Sequence, residues 1–267
     1  MVIKKYIKQK EVVIMNNNPI GIFDSGIGGL TVLNKIIRIL PNERYIYYAD
    51  TDNVPYGTKP KEKVKKYINK AIDFLVSKNV KAIVIACNTA TSIAIEELRE
   101  KYDISIIGIE PAVKPAVENR GKKRVLIMAT PTTIKEEKLK NLLEKLNATE
   151  YVDLVAMPKL VEFAEIGDFK SSKVKKYIQD QLKEYKLDEY SEIVLGCTHF
   201  PFFKEILSTK FSQDTQIIDG SFGVANRLKN ILEKENLIGS NSLNIEYYYS
   251  GRLVINNEEL KRLLNMK

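Results

Sequence analysis

The chain has 267 residues, of which 44% are hydrophobic and 28% are charged, and its formal net charge at pH 7 is +8. This length and composition are typical of one or two globular domains with a full hydrophobic core and exclude an intrinsically disordered chain. Two cysteines exclude a disulfide-rich secreted scaffold and predict a reducing, cytoplasmic location, while the scattered basic residues favour a solvated surface over nucleic-acid binding.

Residues 1–14 are basic and contain no apolar segment of the length found in signal peptides. We expect them to form an N-terminal extension, either poorly ordered or folded as a short surface helix, with Met15 as an alternative start. The sequence shows no apolar run of about 18 residues, so we expect no transmembrane helix.

From residue 19 onward, short runs rich in β-branched residues alternate with helical patterns. The predicted strands are 19–23, 45–49, 82–86, 104–108, 124–129, 151–156, 192–196, 216–219 and 244–250. The amphipathic segments 61–78, 136–146 and 172–185 predict helices. Continuous apolar strands that alternate with helices predict an α/β fold with mainly parallel sheets and right-handed crossovers.

Four of the apolar strands end directly in polar residues. These are Asp24 and Ser25 after the first strand, Cys87, Asn88 and Thr89 after the third, Thr130 and Thr133 after the fifth, and Cys197, Thr198 and His199 after the seventh. Ligands of open α/β sheets bind at the carboxyl ends of the strands, so these residues predict the functional site. Their hydroxyl and amide groups can hold a carboxylate without an adjacent Lys or Arg.

The two cysteines stand in matching segments, IVIACNTA and IVLGCTHF, which indicate two related halves that each present one thiol. A single cysteine after a strand is usually a small buried hydrophobe, but the repeated context favours a function. If both thiols reach one cleft, three chemistries are open. A redox pair lacks a C-x-x-C motif, and a metal site lacks an obvious fourth ligand. Acid–base chemistry would place a thiolate on one face of a substrate and a thiol on the other, which inverts a stereocentre.

Two polar residues and a glycine run accompany the cysteines. His199, the only histidine, lies two residues after Cys197 and can exchange a proton with it or stabilise a thiolate. Asp24 can serve the same chemistry or act as a helix N-cap. The run Gly26-Ile27-Gly28-Gly29 is not a G-x-G-x-x-G fingerprint, so we expect it to bring backbone N–H groups to a small anion rather than to bind NAD.

The segments GIFDSGIGGLTVL, YYADTDNVPYGTK, IACNTATS, GIEPAVKPA and LGCTHFPF together resemble bacterial glutamate racemases of the aspartate/glutamate racemase superfamily. The similarity extends from about residue 19 to about residue 221, and the DGS…VANRL segment also fits. The resemblance implies two pseudo-symmetric α/β domains with mainly parallel sheets and an active site in the interdomain cleft. The segments 111–115 and 220–223 are candidate crossings between the domains, which predicts residues 15–112 and 222–267 for the first domain and 113–221 for the second.

The resemblance also implies interconversion of L- and D-glutamate without a cofactor or metal, which would supply D-glutamate for peptidoglycan, cell-wall synthesis and cell shape. It makes Cys87 the base for D-glutamate and Cys197 the base for L-glutamate, assisted by Asp24 and His199 respectively. Glu165 matches a carboxylate near the substrate ammonium, and Asp50 matches a further family acid. The matched substrate contacts are Asp24, Ser25, Tyr56, Gly57, Asn88, Thr89, Thr130, Thr133, Thr198 and His199. A homodimer is implied as well.

Two departures from the family pattern and two alternative functions accompany this resemblance. Glu162 stands where relatives often have an apolar residue or proline, and Pro131-Thr132 replaces the usual pair after Thr130. A racemase acting on aspartate or another amino acid fits the same motifs, and the length of the pocket decides between the substrates. An amino-acid-binding protein is the non-enzymatic alternative, although simple binding does not need two facing thiols.

Overall fold

The computed structural model describes residues 16–266, so the extension predicted at residues 1–14 lies outside the described part. The strands are β1 (Ile20–Asp24), β2 (Arg44–Ala49), β3 (Ala82–Ile85), β4 (Ser105–Gly108), β5 (Arg124–Ala129), β6 (Val152–Ala156), β7 (Tyr190–Gly196), β8 (Gln216–Asp219), β9 (Asn244–Tyr249) and β10 (Arg252–Leu253). The α-helices are α1 (Leu30–Ile39), α2 (Lys61–Ser77), α3 (Asn88–Lys101), α4 (Val113–Asn119), α5 (Pro131–Lys135), α6 (Glu137–Lys145), α7 (Pro158–Glu165), α8 (Ser172–Leu182), α9 (Lys204–Ser208), α10 (Ser221–Lys234) and α11 (Glu258–Leu264). Leu187–Glu189 and Phe200–Phe203 form short 3-10 helices.

The predicted elements agree with this assignment to within a few residues. Each predicted strand is present, with ends that shift by at most two residues, and the short edge strand β10 was not predicted. The predicted helix 172–185 ends three residues early, at Leu182. The predicted helix 136–146 is preceded by the separate helix α5, which begins with a proline in its first turn.

The strands form two sheets with related topology. The first has the order β10-β9-β2-β1-β3-β4, and its pairs are parallel except for β9 with β10. The second has the order β6-β5-β7-β8 and is parallel throughout. The part β2-β1-β3-β4 of the first sheet therefore repeats the strand order of the second, with β1 equivalent to β5 and β3 to β7. The predicted class, two related α/β units with mainly parallel sheets, is confirmed.

Helices cover both faces of each sheet because consecutive strand residues point to opposite sides. In the first sheet, Ile20 and Ile22 belong to the core formed with α1, α10 and α11, whereas Phe23 belongs to the core formed with α2 and α3. In the second sheet, Val125 packs with α4 and α6, and Leu126 packs with α7 and α8. No helix within residues 16–266 is long and apolar enough to cross a membrane.

The chain passes between the sheets twice. It leaves the first sheet after β4, forms β5 to β8 of the second, and returns through α10, which packs against α1. Strands β9 and β10 then extend the first sheet beside β2. The domain boundaries at residues 112/113 and 221/222 stay a prediction.

Candidate active site

Residues from the carboxyl ends of both sheets line one cavity. They are Ser25, Pro55, Tyr56, Gly57, Thr58, Cys87, Asn88, Thr89, Thr130, Pro131, Pro158, Val161, Cys197, Thr198 and His199. The free volume of this cavity is about 10 Å³, which is close to the least that holds one water molecule. The two halves thus leave little free space between them, and both cysteines line the same cavity.

Cys87 caps the N-terminus of α3, which begins directly after β3. Its sulfur accepts a hydrogen bond from the Ala90 N–H at 3.4 Å, and its thiol donates to Ser25 Oγ at 3.6 Å. Burial, together with the nearby Asp24 carboxylate, raises the pKa of the Cys87 thiol to about 12. Cys87 therefore keeps its proton at neutral pH in this closed structure.

Cys197 has a different partner, the imidazole of His199. Its sulfur lies 3.7 Å from His199 Nδ1, and His199 Nε2 lies 2.6 Å from Glu165 Oε1. Burial lowers the pKa of His199, but its hydrogen bonds with Cys197 and Glu165 outweigh that effect and raise the pKa well above its usual value. A protonated imidazole at this distance stabilises negative charge on the sulfur.

Glu165 connects this imidazole to the glycine-rich loop of the other half. Its Oε1 also accepts a hydrogen bond from the Ile27 N–H at 2.8 Å. A Cβ atom at Gly26 would overlap the Glu165 carboxylate, and one at Gly28 would lie 2.5 Å from His199 Nδ1. The glycine run therefore permits a close approach between the halves, and the anion that its N–H group binds is the chain's own Glu165.

Asp24 is fully buried at the end of β1. Its Oδ1 accepts a hydrogen bond from Thr198 Oγ1 at 3.2 Å, and its Oδ2 accepts one from the Gly26 N–H at 3.1 Å. Burial raises its pKa to about 6, although the nearby His199 acts in the opposite direction. Asp24 thus bonds to the residue beside Cys197 while it influences Cys87 through its charge.

A cluster of three threonine hydroxyls lies across the two halves. Thr89 Oγ1 is 3.0 Å from Thr130 Oγ1 and 3.4 Å from Thr133 Oγ1, and the last two are 3.0 Å apart. Thr130 also caps α5 by accepting a hydrogen bond from the Thr133 N–H. Asn88 Oδ1 is buried and has no hydrogen-bond partner among the described residues, so it can accept a bond from a ligand.

A loop after β2 covers the cavity from the first half. The Tyr56 hydroxyl donates to Asp50 Oδ2 at 2.5 Å, and the Gly57 carbonyl accepts hydrogen bonds from the N–H and hydroxyl of Thr132. A Cβ atom at Gly57 would meet the Thr130 side chain. The missing side chain at this position therefore allows the loop to close against the second half.

Each predicted site residue either lines the cavity or bonds to a residue that lines it. Asp24, Thr133 and Glu165 do not line the cavity, but each bonds to a residue that does. Pro158 and Val161 also line the cavity and were not predicted, although both follow β6 and the strand-end rule points to them. Thr31 in the first turn of α1 was not predicted either; its hydroxyl donates to the Thr198 carbonyl at 3.1 Å, and no sequence signal marks it.

The redox and metal alternatives involve the same two cysteines. Cys87 and Cys197 are free thiols. Within residues 16–266, no group of three or more His, Cys, Asp and Glu side chains is arranged to hold a metal ion. Both thiols line one cavity, an arrangement that is compatible with proton transfer from two sides.

Comparison with known proteins assigns the chain to a class and then to a family. The chain is an isomerase of the racemase class, and its two-unit α/β fold is shared with solved glutamate racemases. A family model described as Asp/Glu/Hydantoin racemase matches residues 20–222, and the chain belongs to this family. The resemblance seen in the sequence motifs is confirmed.

Three relatives illustrate the relationship. Glutamate racemase 2 of Bacillus subtilis (strain 168) is 52% identical over 245 residues, which cover 91% of this chain and 92% of the relative. The solved structure of glutamate racemase from Francisella tularensis subsp. tularensis SCHU S4 in complex with D-glutamate has a TM-score of 0.80 at 29% identity and covers 94% of this chain and 95% of that one. The glutamate racemase from Aquifex pyrophilus has a TM-score of 0.73 at 34% identity, with 92% and 94% covered.

Proposed function

We propose that this protein is a glutamate racemase in which Cys87 and Cys197 remove and return the Cα proton from opposite faces of the substrate. The observation that carries the proposal is the position of the two thiols, which follow equivalent strands and border one cavity. Support for glutamate as the substrate comes from the relatives, which include a glutamate racemase solved with D-glutamate.

The proposed reaction of L-glutamate begins with a Cys197 thiolate. This sulfur takes the Cα proton, the electron pair of the broken C–H bond moves into the carboxylate, and the Cys87 thiol delivers its proton to the opposite face of Cα. The product is D-glutamate, with Cys197 now a thiol and Cys87 a thiolate. D-Glutamate reacts by the same steps in reverse, so Cys87 is then the base.

The surrounding polar groups have separate tasks in this proposal. Because the Cα proton is very weakly acidic, fixed donors must stabilise the charge that develops on the substrate carboxylate. The proposed substrate contacts are the hydroxyls of Thr89, Thr130, Thr198 and Ser25, the backbone near Tyr56 and Gly57, and the Asn88 amide. Thr133 is proposed to act through its hydrogen bond with Thr130. His199 supports Cys197, and Asp24 supports Cys87 through its charge.

Glu165 has a more specific proposed task. The resemblance places it near the substrate ammonium, but its partners in the closed structure are His199 Nε2 and the Ile27 N–H. We therefore propose that Glu165 orients the His199 imidazole. Since Ile27 belongs to the other half, this contact forms only when the cleft is closed.

Substrate entry requires the two halves to separate. A cavity of about 10 Å³ does not admit a five-carbon diacid. On closure, the two halves exclude water and strengthen the electrostatic interactions around the reacting carbon. The product, D-glutamate, is proposed to supply peptidoglycan synthesis, with the enzyme acting as a cytoplasmic homodimer.

The decisive experiment is an assay of D-glutamate formation from L-glutamate by circular dichroism, with no cofactor added and L-aspartate as the control substrate. In deuterated water, we expect the D-glutamate formed to carry deuterium at Cα, because the returned proton comes from a thiol that exchanges with solvent. Absence of D-glutamate, or full retention of the original Cα hydrogen, would contradict the proposal. Faster turnover of L-aspartate would change the substrate but keep the chemistry.

A further inference from the structure

Asp50 is a buried carboxylate that stands behind the active site rather than in it. Asp50 is 3% exposed, and it does not line the substrate cavity. No Lys or Arg among residues 16–266 forms an ion pair with it. A buried charge of this kind is costly unless its oxygens accept several hydrogen bonds.

The Asp50 carboxylate accepts hydrogen bonds from three neutral side chains. Its Oδ2 accepts from the Tyr56 hydroxyl at 2.5 Å, and its Oδ1 accepts from Ser250 Oγ at 2.9 Å and Asn53 Nδ2 at 3.0 Å. The Asp50 N–H donates to the Asp24 carbonyl at 3.0 Å. Asp50 thus joins the end of β1, the turn between β9 and β10, and the loop that covers the cavity.

Tyr56 is the member of this network that reaches the substrate cavity. It is 1% exposed, and its ring lies 6.3 Å from the ring of Phe23 and 6.1 Å from that of Tyr67. Burial and the adjacent Asp50 raise the pKa of Tyr56 far above its usual value, so the hydroxyl remains a donor to Asp50. Residues 55–58 all line the cavity, and the Tyr56–Asp50 bond fixes them to the first sheet.

We infer that Asp50 is a positioning residue that sets substrate affinity by holding Tyr56 and the segment 55–58 over the cavity. The inference rests on the proposed glutamate racemase function and adds a residue outside the cavity to it. Because the segment contacts the substrate before and during proton transfer, its displacement weakens both states to a similar extent. Such uniform binding changes KM more than kcat.

Steady-state kinetics of Asp50→Ala, Tyr56→Phe and the double variant test this inference. We expect each single variant to raise KM for glutamate about tenfold, with kcat within about threefold of the parent enzyme. The double variant should raise KM no further than about threefold beyond either single variant, because both changes remove the same hydrogen bond. Asp50→Asn, whose amide oxygen can accept from the Tyr56 hydroxyl, should restore most of the affinity.

Asp52→Ala is the matched control, since Asp52 lies two residues away and pairs on the surface with Arg252. Its KM should stay within about twofold of the parent value. Equal KM increases in Asp50→Ala and Asp52→Ala, or multiplied effects in the double variant, would overturn the inference. If Asp50→Ala fails to fold, an unchanged KM in Tyr56→Phe overturns it alone. Inactivity of the parent enzyme towards glutamate would instead refute the proposed function.

Discussion

The two thiols occupy equivalent places in the two halves but have unlike surroundings. Cys87 follows β3 and contacts a hydroxyl and a backbone N–H, whereas Cys197 follows the equivalent strand β7 and contacts an imidazole. The Cys87 thiol has a pKa raised to about 12, while His199 beside Cys197 is held in its protonated form. Topology therefore duplicates the positions of the two cysteines, and the neighbouring side chains give each sulfur a different electrostatic environment.

This asymmetry bears on the proposed mechanism, in which the two thiols start each turnover with opposite protonation states. In the proposed mechanism, L-glutamate reacts with Cys197 as the thiolate and Cys87 as the thiol, and the raised pKa of Cys87 agrees with its part in that step. In this proposal the protonation states are exchanged after one turnover, so the His199 and Asp24 sides must each support the opposite state. The two halves thus differ in the groups that control the protonation of their thiols, and variants of these groups in each half can test this difference.

The largest effect is expected from removing either sulfur. Cys87→Ala and Cys197→Ala should each lower racemisation at least about 10³-fold, because one face of the substrate loses its acid or base. Circular dichroism and the unfolding temperature should show that both variants remain folded. Near-normal turnover in one of them would show that the two halves do not share a single reaction.

Removal of the helpers should expose the asymmetry between the halves. We expect His199→Asn and Asp24→Asn each to lower kcat about 10²-fold, His199→Asn more strongly from L- to D-glutamate and Asp24→Asn more strongly from D- to L-glutamate. The values of kcat/KM in the two directions must remain equal, because enantiomers have an equilibrium constant of one. The measurement is kcat in both directions, and an identical ratio in both variants would contradict the assignment.

The free energy of unfolding should depend on pH through Asp24. Its carboxyl group is buried in the first half, and its oxygens accept hydrogen bonds from neutral donors. Its pKa in the folded state, about 6, lies above the ordinary value of 3.8, so the folded protein binds this proton more tightly than the unfolded chain does. The stabilisation of the fold by this bound proton is complete below about pH 4 and is lost as pH rises through 6. A difference of about two pKa units corresponds to about 3 kcal/mol of unfolding free energy.

Asp24→Asn should therefore stabilise the protein at pH 8 relative to the parent, by up to about 3 kcal/mol more than it does at pH 4. Urea unfolding at the two pH values measures this difference. The gain would accompany a loss of activity, as expected for a group whose burial serves catalysis. A constant difference between variant and parent across this range would show that Asp24 does not titrate as described.

Much of the site was predictable from the sequence because it lies at strand ends. Cys87, Thr130 and Cys197 follow apolar runs, and the carboxyl ends of parallel strands converge at one edge of each sheet. The pairings across the cleft were not predictable in the same way. Glu165 bonds to Ile27, 138 residues away, and Asp50 bonds to Ser250, 200 residues away. Such contacts depend on how the two sheets face each other, which no local pattern specifies.

The smallest effect tests whether the glycine-rich loop serves its own half or the opposite one. Gly26 is two residues from Asp24, yet a Cβ atom there would overlap the carboxylate of Glu165 in the second half. Gly26→Ala should displace Glu165 from His199 and lower kcat about tenfold. Gly223→Ala is the control, because a Cβ atom at Gly223, which lies in α10, has no other atom within 4 Å.

The direction of the Gly26→Ala effect is more informative than its size. If the loop's main task is to hold Glu165 against the imidazole, this variant should change the ratio of kcat in the two directions as His199→Asn does. A ratio like that of Asp24→Asn would instead show that the loop acts through its sequence neighbour, whose Oδ2 accepts the Gly26 N–H. The first outcome would mean that the Cys197 side is completed by backbone from the Cys87 side, so that closure of the cleft assembles the base.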